Sequence, residues 1–250
     1  MDLSLVIITR NEEHCIERCI RSVPFARQVI AVDSGSADST VDIACALGAK
    51  VLHHDFESHS LQKQWALDQA DCRWILSLDA DEYLNPELAR AIPSILEGGT
   101  RHSGFHLPFR MLYMGRLMRF GPWSGERHLR LFRKGTARFP DTAVHEGPIM
   151  TEGSTGTIGR GFVVHQSYRS VDEQARKMIG YAKLWALEQH GRGRGSGYAH
   201  MAIRPMWRFF SGYFLRGGFL EGVPGLAASG ICAWYVLMKW LYLYESGRGD

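Results

Sequence analysis

The chain has 250 residues, 45% of them hydrophobic, enough apolar material for one substantial core and too much for a disordered chain. A formal net charge of +3 and the lack of any long Lys/Arg run argue against nucleic acid as a partner, so charge has to be read locally. Five cysteines, an odd number, follow an N-terminus, MDLSLVIITR, with no basic segment ahead of an apolar one; the expectation is a cytoplasmic protein with reduced thiols and no secretory leader.

Leu3 to Thr9 is a short β-branched apolar run, the pattern of a strand buried on both faces. Cys15, Ile16, Cys19, Ile20 and Val23 then recur at helical spacing, and the two cysteines read as core packing because no second Cys or His pair stands near them. QVIAVD is a second buried strand closing on Asp33. Ser39 with Asp42 three residues on predicts a capping box opening a helix over 40–47, with Gly48 as its stop. A short strand over 50–52, a helix over 61–70 and a strand over 73–78 complete the alternation, which implies right-handed parallel crossovers and a sheet covered by helices.

In such sheets ligands bind at the carboxyl ends of the strands. Asp33 and the trio Asp79, Asp81 and Glu82 fall just past strand ends, so both acidic sites are expected at one rim. Carboxylates this close raise one another's pKa unless a cation sits among them, and a hard divalent ion, Mg²⁺ or Mn²⁺, is the simplest resolution. Asn85 and Pro86 read as N-cap and first residue of a helix to Leu96, which leaves Asp79 and Asp81 unexplained by capping.

From Gly104 to Tyr168 short alternating stretches separated by Gly and Pro predict antiparallel strands and loops. Arg127, Arg130 and Arg133 recur with period three, and a guanidinium among them suits a phosphate because its planar fork bonds two oxygens at once. A helix over 171–190 precedes GRGRGSG, a basic linker and the clearest composition break. Beyond it Trp, Tyr and Phe alternate with Arg204, Arg208 and Arg216, the mixture found at bilayer interfaces facing anionic lipid. The uncharged run 225–238 falls short of a span, so the tail is expected to lie on a membrane surface.

In this order and spacing, SLVIITRNEE, VIAVDSGSADST, QKQWALDQA and WILSLDADEYL resemble the inverting nucleotide-sugar glycosyltransferases of family 2. RHLRLFRKG, AVHEG, VVHQSYRS and the basic aromatic tail are similar to the lipopolysaccharide core-biosynthesis β-glucosyltransferases of Gram-negative bacteria, so the resemblance covers nearly the whole chain. It implies an α/β fold of the GT-A type: a nucleotide-sugar domain over 1–169, with a donor half to residue 100 and an acceptor half after it, then a helix over 170–190 and a helical tail over 191–250. It implies that Asp33, with Ser34 beside it, binds the nucleoside and that the backbone around Thr9, Arg10 and Asn11 lines the uracil pocket, with Glu12 or Glu13 nearby. Asp79-Ala80-Asp81 falls on the Asp-x-Asp motif, Asp81 as the more direct metal ligand and Asp79 nearer the ribose and donor sugar. Lys63 falls where relatives carry Gln-Lys-Asn and would meet the diphosphate; this chain has Gln64 in third place. His165 is a further candidate metal ligand, and Arg130 a candidate for phosphate.

An inverting transfer needs a base that takes the acceptor hydroxyl proton as its oxygen attacks. Glu146, at the end of an apolar alternation and ahead of Gly147-Pro148, is the first choice; Glu126 is second and Asp141 third. His145, on the opposite face, reads as structural. The implied partners are a UDP-sugar, with UDP-glucose foremost, a lipid-linked saccharide such as an inner-core heptose, and the cytoplasmic face of the inner membrane. Polyprenyl phosphate or a peptide as acceptor, and a nucleotide-sugar-binding module without turnover, are the alternatives.

Overall fold

A computed structural model of the chain describes residues 1–140 and 147–247. The chain divides into two compact units, residues 1–109 with 125–165 and residues 110–124 with 166–250. Its strands are β1 (Leu3–Thr9), β2 (Gln28–Asp33), β3 (Lys50–His53), β4 (Trp74–Asp79), β5 (Glu82–Leu84), β6 (Gly104–Tyr113), β7 (Arg116–Leu117), β8 (Arg127–Arg133), β9 (Ala137–Arg138), β10 (Ile149–Met150), β11 (Thr155–Thr157) and β12 (Val163–His165). Its helices are α1 (Ile16–Arg21), α2 (Thr40–Ala46), α3 (His59–Asp68), α4 (Pro86–Glu97), α5 (Val171–Gly191), α6 (Tyr198–Phe210) and α7 (Val223–Ser246).

The main sheet runs β3-β2-β1-β4-β8-β6-β12-β5. Its first four strands are parallel, as the strand–helix alternation requires, and β8 is antiparallel to both β4 and β6. Alternation along β1 divides the core. Leu3, Leu5 and Ile7 pack with Ile16 and Cys19 of α1 and Leu88 and Ile92 of α4, while Val6 packs on the other face with Ala66 and Leu67 of α3. The register sets Thr9 beside Asp33 and Ile8 beside Asp79, which brings the two acidic sites to one end of the sheet, on either side of β1.

The first helix starts at Ile16 with Cys15 at its cap, after Asn11 turns left-handed (φ 56°) and the Glu12 and Glu13 amides donate to Thr40 Oγ1 (2.8 Å) and Asp38 Oδ2 (3.3 Å). Two local expectations are corrected. The capping box at Ser39 does not form. Ser39 makes no side-chain cap bond, and Asp38 accepts the Thr40 amide instead (3.0 Å). Within the expected antiparallel region, β11 runs parallel to β6. Asn85 does cap α4, accepting the Leu88 amide at 3.0 Å, with Pro86 in the first turn.

In the second unit, α5 and α7 share a core around Ala186, Trp240 and Leu243, joined by Met201 of α6. Met111, Tyr113 and Met118 pack on Ala228 of α7, and the Tyr113 hydroxyl donates to buried Gln174 Oε1 at 2.7 Å. The arginines of GRGRGSG fold back on α5, Arg192 onto Glu188 and Arg194 onto Gln189, each at 2.7 Å. At 24 residues with a mean hydropathy of 1.3, α7 is long and apolar enough to cross a membrane by length and composition.

Candidate active site

The loops after β1 and β2 are laced together at the rim of the sheet. The Asn11 amide donates to Ser36 Oγ (2.9 Å), the Ala37 amide to Asn11 Oδ1 (2.8 Å) and the Ser39 amide to Glu13 Oε2 (3.1 Å). Asp33 anchors this crossing: Oδ2 accepts the amides of Gly35 and Ser36, both at 2.9 Å, and Oδ1 accepts the Ser36 hydroxyl. The Ser34 amide donates to the Thr9 carbonyl (3.1 Å), and Ser34 Oγ accepts from Gln62, which is itself held by His54. Arg10 is exposed on the same rim, and Thr9 is buried with its hydroxyl unpartnered among the described residues.

Next to this pocket, β4 delivers Asp79. Lys63 of α3 places its ammonium 2.7 Å from Oδ1 and 2.9 Å from Oδ2, and the Arg130 guanidinium lies 3.4 Å from Oδ2. Burial would raise this carboxyl, but Lys63 first and Arg130 second override it and hold Asp79 well below the usual carboxylate range. Glu82, buried completely on β5, accepts the Asp79 amide (3.0 Å) and the Arg130 guanidinium (2.7 Å). Burial pushes its pKa up against the pull of Arg130. The cations among these carboxylates are therefore supplied by the protein, and Glu82 belongs to a buried ion pair instead of an open acidic cluster. Lys63, at 6% exposure, is an internal charge.

Asp81 has its ion pair with a histidine. Antiparallel pairing of β5 with β12 sets His165 opposite Glu82 and brings its Nε2 within 3.3 Å of Asp81 Oδ2. Burial disfavours the imidazolium, but Asp81 and then Glu82 and Asp79 outweigh it and raise His165 to about 9. Ala80 between the two aspartates is buried. Among the described residues no three His, Cys, Asp or Glu side chains converge as a metal site, so a resident ion would take two protein ligands at most from this cluster.

Phe109 joins the cluster to the second base candidate. Arg130 lies 5.5 Å over its ring, and His165 and His128 approach its edge or face at 6.4 and 4.7 Å. His128 in turn is 3.7 Å from Glu126, which is exposed. Glu146, Asp141 and His145 lie outside the described residues. Reading the residues in sequence missed the amide relay of α3: Gln62 reaches Ser34, Lys63 reaches Asp79, and Gln64 accepts the Phe139 amide at 2.9 Å. Three consecutive polar side chains on a helix otherwise packed on a sheet were the available signal. Arg127 and Arg133 do not join Arg130 in the cluster; Arg127 is exposed and Arg133 bonds the Thr100 carbonyl at 3.0 Å.

The chain is similar to known glycosyltransferases over nearly its whole length. The sequence model described as Glycosyl transferase family 2 matches residues 4–120. The lipopolysaccharide core biosynthesis glycosyltransferase LpsC of Rhizobium meliloti is 28% identical over 98% of this chain and 93% of its own length. An uncharacterized glycosyltransferase of Rickettsia typhi is 30% identical over 97% of this chain and 87% of its own. Among solved structures, residues 1–349 of S. aureus TarS in complex with UDP-GlcNAc align with a TM-score of 0.51 at 16% identity, covering 100% of this chain and 92% of that one, a likeness of fold. The α/β fold is of the GT-A type, and the chain belongs to family 2 of the glycosyltransferases.

Proposed function

We propose that this glycosyltransferase moves a hexose, glucose foremost, from its uridine diphosphate to a hydroxyl of a lipid-linked saccharide, with inversion at the anomeric carbon. One observation carries the reading: the nucleoside-side loops fixed by Asp33 and the paired sites Lys63–Asp79–Arg130 and Asp81–His165 lie at one end of a parallel sheet. A uridine donor is supported by the UDP-GlcNAc bound to the TarS neighbour, and a lipid-linked core saccharide by the name of the rhizobial relative.

The donor set would hold a hard divalent ion, Mg²⁺ or Mn²⁺, on Asp81, with His165 joining once the ion displaces its proton, because such ions bind one or two protein groups together with substrate phosphates and water. When bound, that ion supplies charge neutralisation for the departing diphosphate. The chain does the rest. Thr9, Arg10, Asn11, Glu12 and Ser34 surround the base and ribose around Asp33. Lys63 and Arg130 keep Asp79 ionised and fixed, so a carboxylate stands ready for the donor's hydroxyls without reorganising during transfer. Glu146 takes the acceptor proton, with Glu126 as the second candidate.

Titration calorimetry with UDP-glucose, UDP-galactose, UDP-N-acetylglucosamine and GDP-mannose, each with Mn²⁺ and again with chelator, tests the donor half. One UDP-sugar is expected to bind in metal, at least about tenfold more weakly in chelator or in Asp81→Asn. Absence of binding to all four with metal present overturns the reading.

A further inference from the structure

The second unit carries an apolar strip that stays exposed among the described residues. No residue of α6 is buried, and Ile203, Met206, Trp207 and Phe210, spaced to one helix face, are between 45% and 71% exposed. The strip continues through a π-helical turn (Ser211–Leu215) and a 3-10 turn (Gly218–Glu221), where Phe214, Leu215, Phe219 and Leu220 are each at least half exposed. Ring contacts make it continuous: Trp207 to Phe210 at 6.0 Å, Phe210 to Phe214 at 5.3 Å, Phe214 to Tyr213 at 5.1 Å and Tyr213 to Phe219 at 6.4 Å.

The polarity of this element is inverted for a helix that faces water. Its arginines turn onto the unit's own fold, Arg204 over the Trp240 ring at 4.8 Å and Arg208 and Arg216 onto the Pro122 carbonyl at 3.5 and 3.1 Å, while its aromatics turn out. The tip is braced as well. Gly217 and Gly222 are left-handed (φ 68° and 64°) at the ends of the 3-10 turn. Between them Glu221 points inward, accepting the Arg119 and Phe120 amides at 2.7 and 2.9 Å and Arg116 Nε at 2.6 Å. That clamp holds Phe219 and Leu220 outward. It also neutralises the one acid between Tyr198 and Leu226, a stretch that carries Arg204, Arg208 and Arg216.

We propose that this strip docks on an anionic phospholipid bilayer, with α6 lying in the interface and Phe219 and Leu220 entering the acyl boundary. Charge decides the occupant. A second copy would bring the same arginines together with Glu221 already engaged by Arg116, whereas an anionic leaflet offers apolar depth for the aromatics and phosphate at its rim for Arg204 and Arg216, which stay exposed. α7 packs on its unit along one side, where Ala228, Ser229, Cys232, Trp240 and Leu243 are buried, and docking through α6 does not require it to cross. The inference deepens the lipid-linked acceptor of the proposed function and rests on that reading only for its use.

The full chain is sedimented with phosphatidylcholine vesicles, with and without phosphatidylglycerol, in the absence of donor and acceptor. Binding about tenfold tighter on the anionic vesicles is expected, weakening with salt. Phe219→Ser with Leu220→Ser should lower it about tenfold while UDP binding and the circular dichroism spectrum stay unchanged. If that pair fails to fold, Ile203→Ser with Met206→Ser on α6 makes the same test. No vesicle binding, equal affinity for neutral and anionic vesicles, or a binding constant unmoved in a folded variant overturns the proposal. So does self-association that the same substitutions abolish in a chain that ignores vesicles. Loss of the donor reading appears separately, in the calorimetry.

Discussion

Arg130 is the residue on which the acidic rim depends, because it is the one guanidinium that reaches both Glu82 and Asp79. Taking away one member of a buried pair leaves an uncompensated charge, so Arg130→Met is expected to cost about 3–5 kcal/mol in urea denaturation. Glu82→Gln in the same chain should recover part of that loss, since the stranded carboxylate is then gone; a strictly additive double-mutant cycle would contradict the pairing. The sequence marked Asp79, Asp81 and Glu82 as anomalous at a strand end and marked three arginines at period three. It could not say which arginine, because only the placement of β8 between β4 and β6 turns Arg130 inward while leaving Arg127 in solvent. Lys63 and Arg130, which set positive charge beside Asp79 and Glu82, come from α3 and β8 by tertiary pairing that no local pattern encodes.

At the scale of elements, the buried parallel strands were legible because each is a β-branched run closed by a polar residue, and the cap at Asn85 because its chemistry is local. The antiparallel half was legible only in kind, since β11 pairs parallel and its register depends on distant chain. One cap reaches further than its helix. Asn85 Oδ1 accepts the amide of Leu88 and also that of Phe162 (2.9 Å), tying the start of α4 to the entry of β12, the strand that delivers His165. Gly161 makes room for this: it is left-handed (φ 75°), and a Cβ there would stand 2.2 Å from the Leu88 nitrogen and 2.6 Å from Asn85 Oδ1. Gly161→Ala is therefore expected to cost at least about 2 kcal/mol, from backbone strain and loss of the cap together. Because β12 carries His165, metal-dependent nucleotide binding should weaken in the same variant. Asn85→Ala, which removes the cap without filling the space, should cost about 1 kcal/mol. Equal losses for the two in thermal melts would contradict the role given to Gly161.

For the whole molecule, the proposed donor site makes stability a function of ligand. Anything that binds the folded chain and not the unfolded one stabilises it by RT ln(1 + [L]/Kd), about 2.7 kcal/mol at a hundredfold excess over Kd. In a chain of this length that corresponds to a rise in Tm of roughly 5–10 °C. UDP with Mn²⁺ is expected to produce a rise of that size, and UDP in chelator a smaller one. His165→Ala should shrink the difference between the two without removing the part due to the nucleoside, whose proposed partners are Asp33 and the crossed loops after β1 and β2. The distinction matters because the two proposed halves of the site are built differently: the loops around Asp33 are held by backbone amides, whereas Asp81 and His165 meet as a side-chain pair that exists only when β12 lies against β5. A His165→Ala chain that still gains the full metal-dependent shift would take the imidazole out of the proposed ligand pair and leave the ion to Asp81 alone.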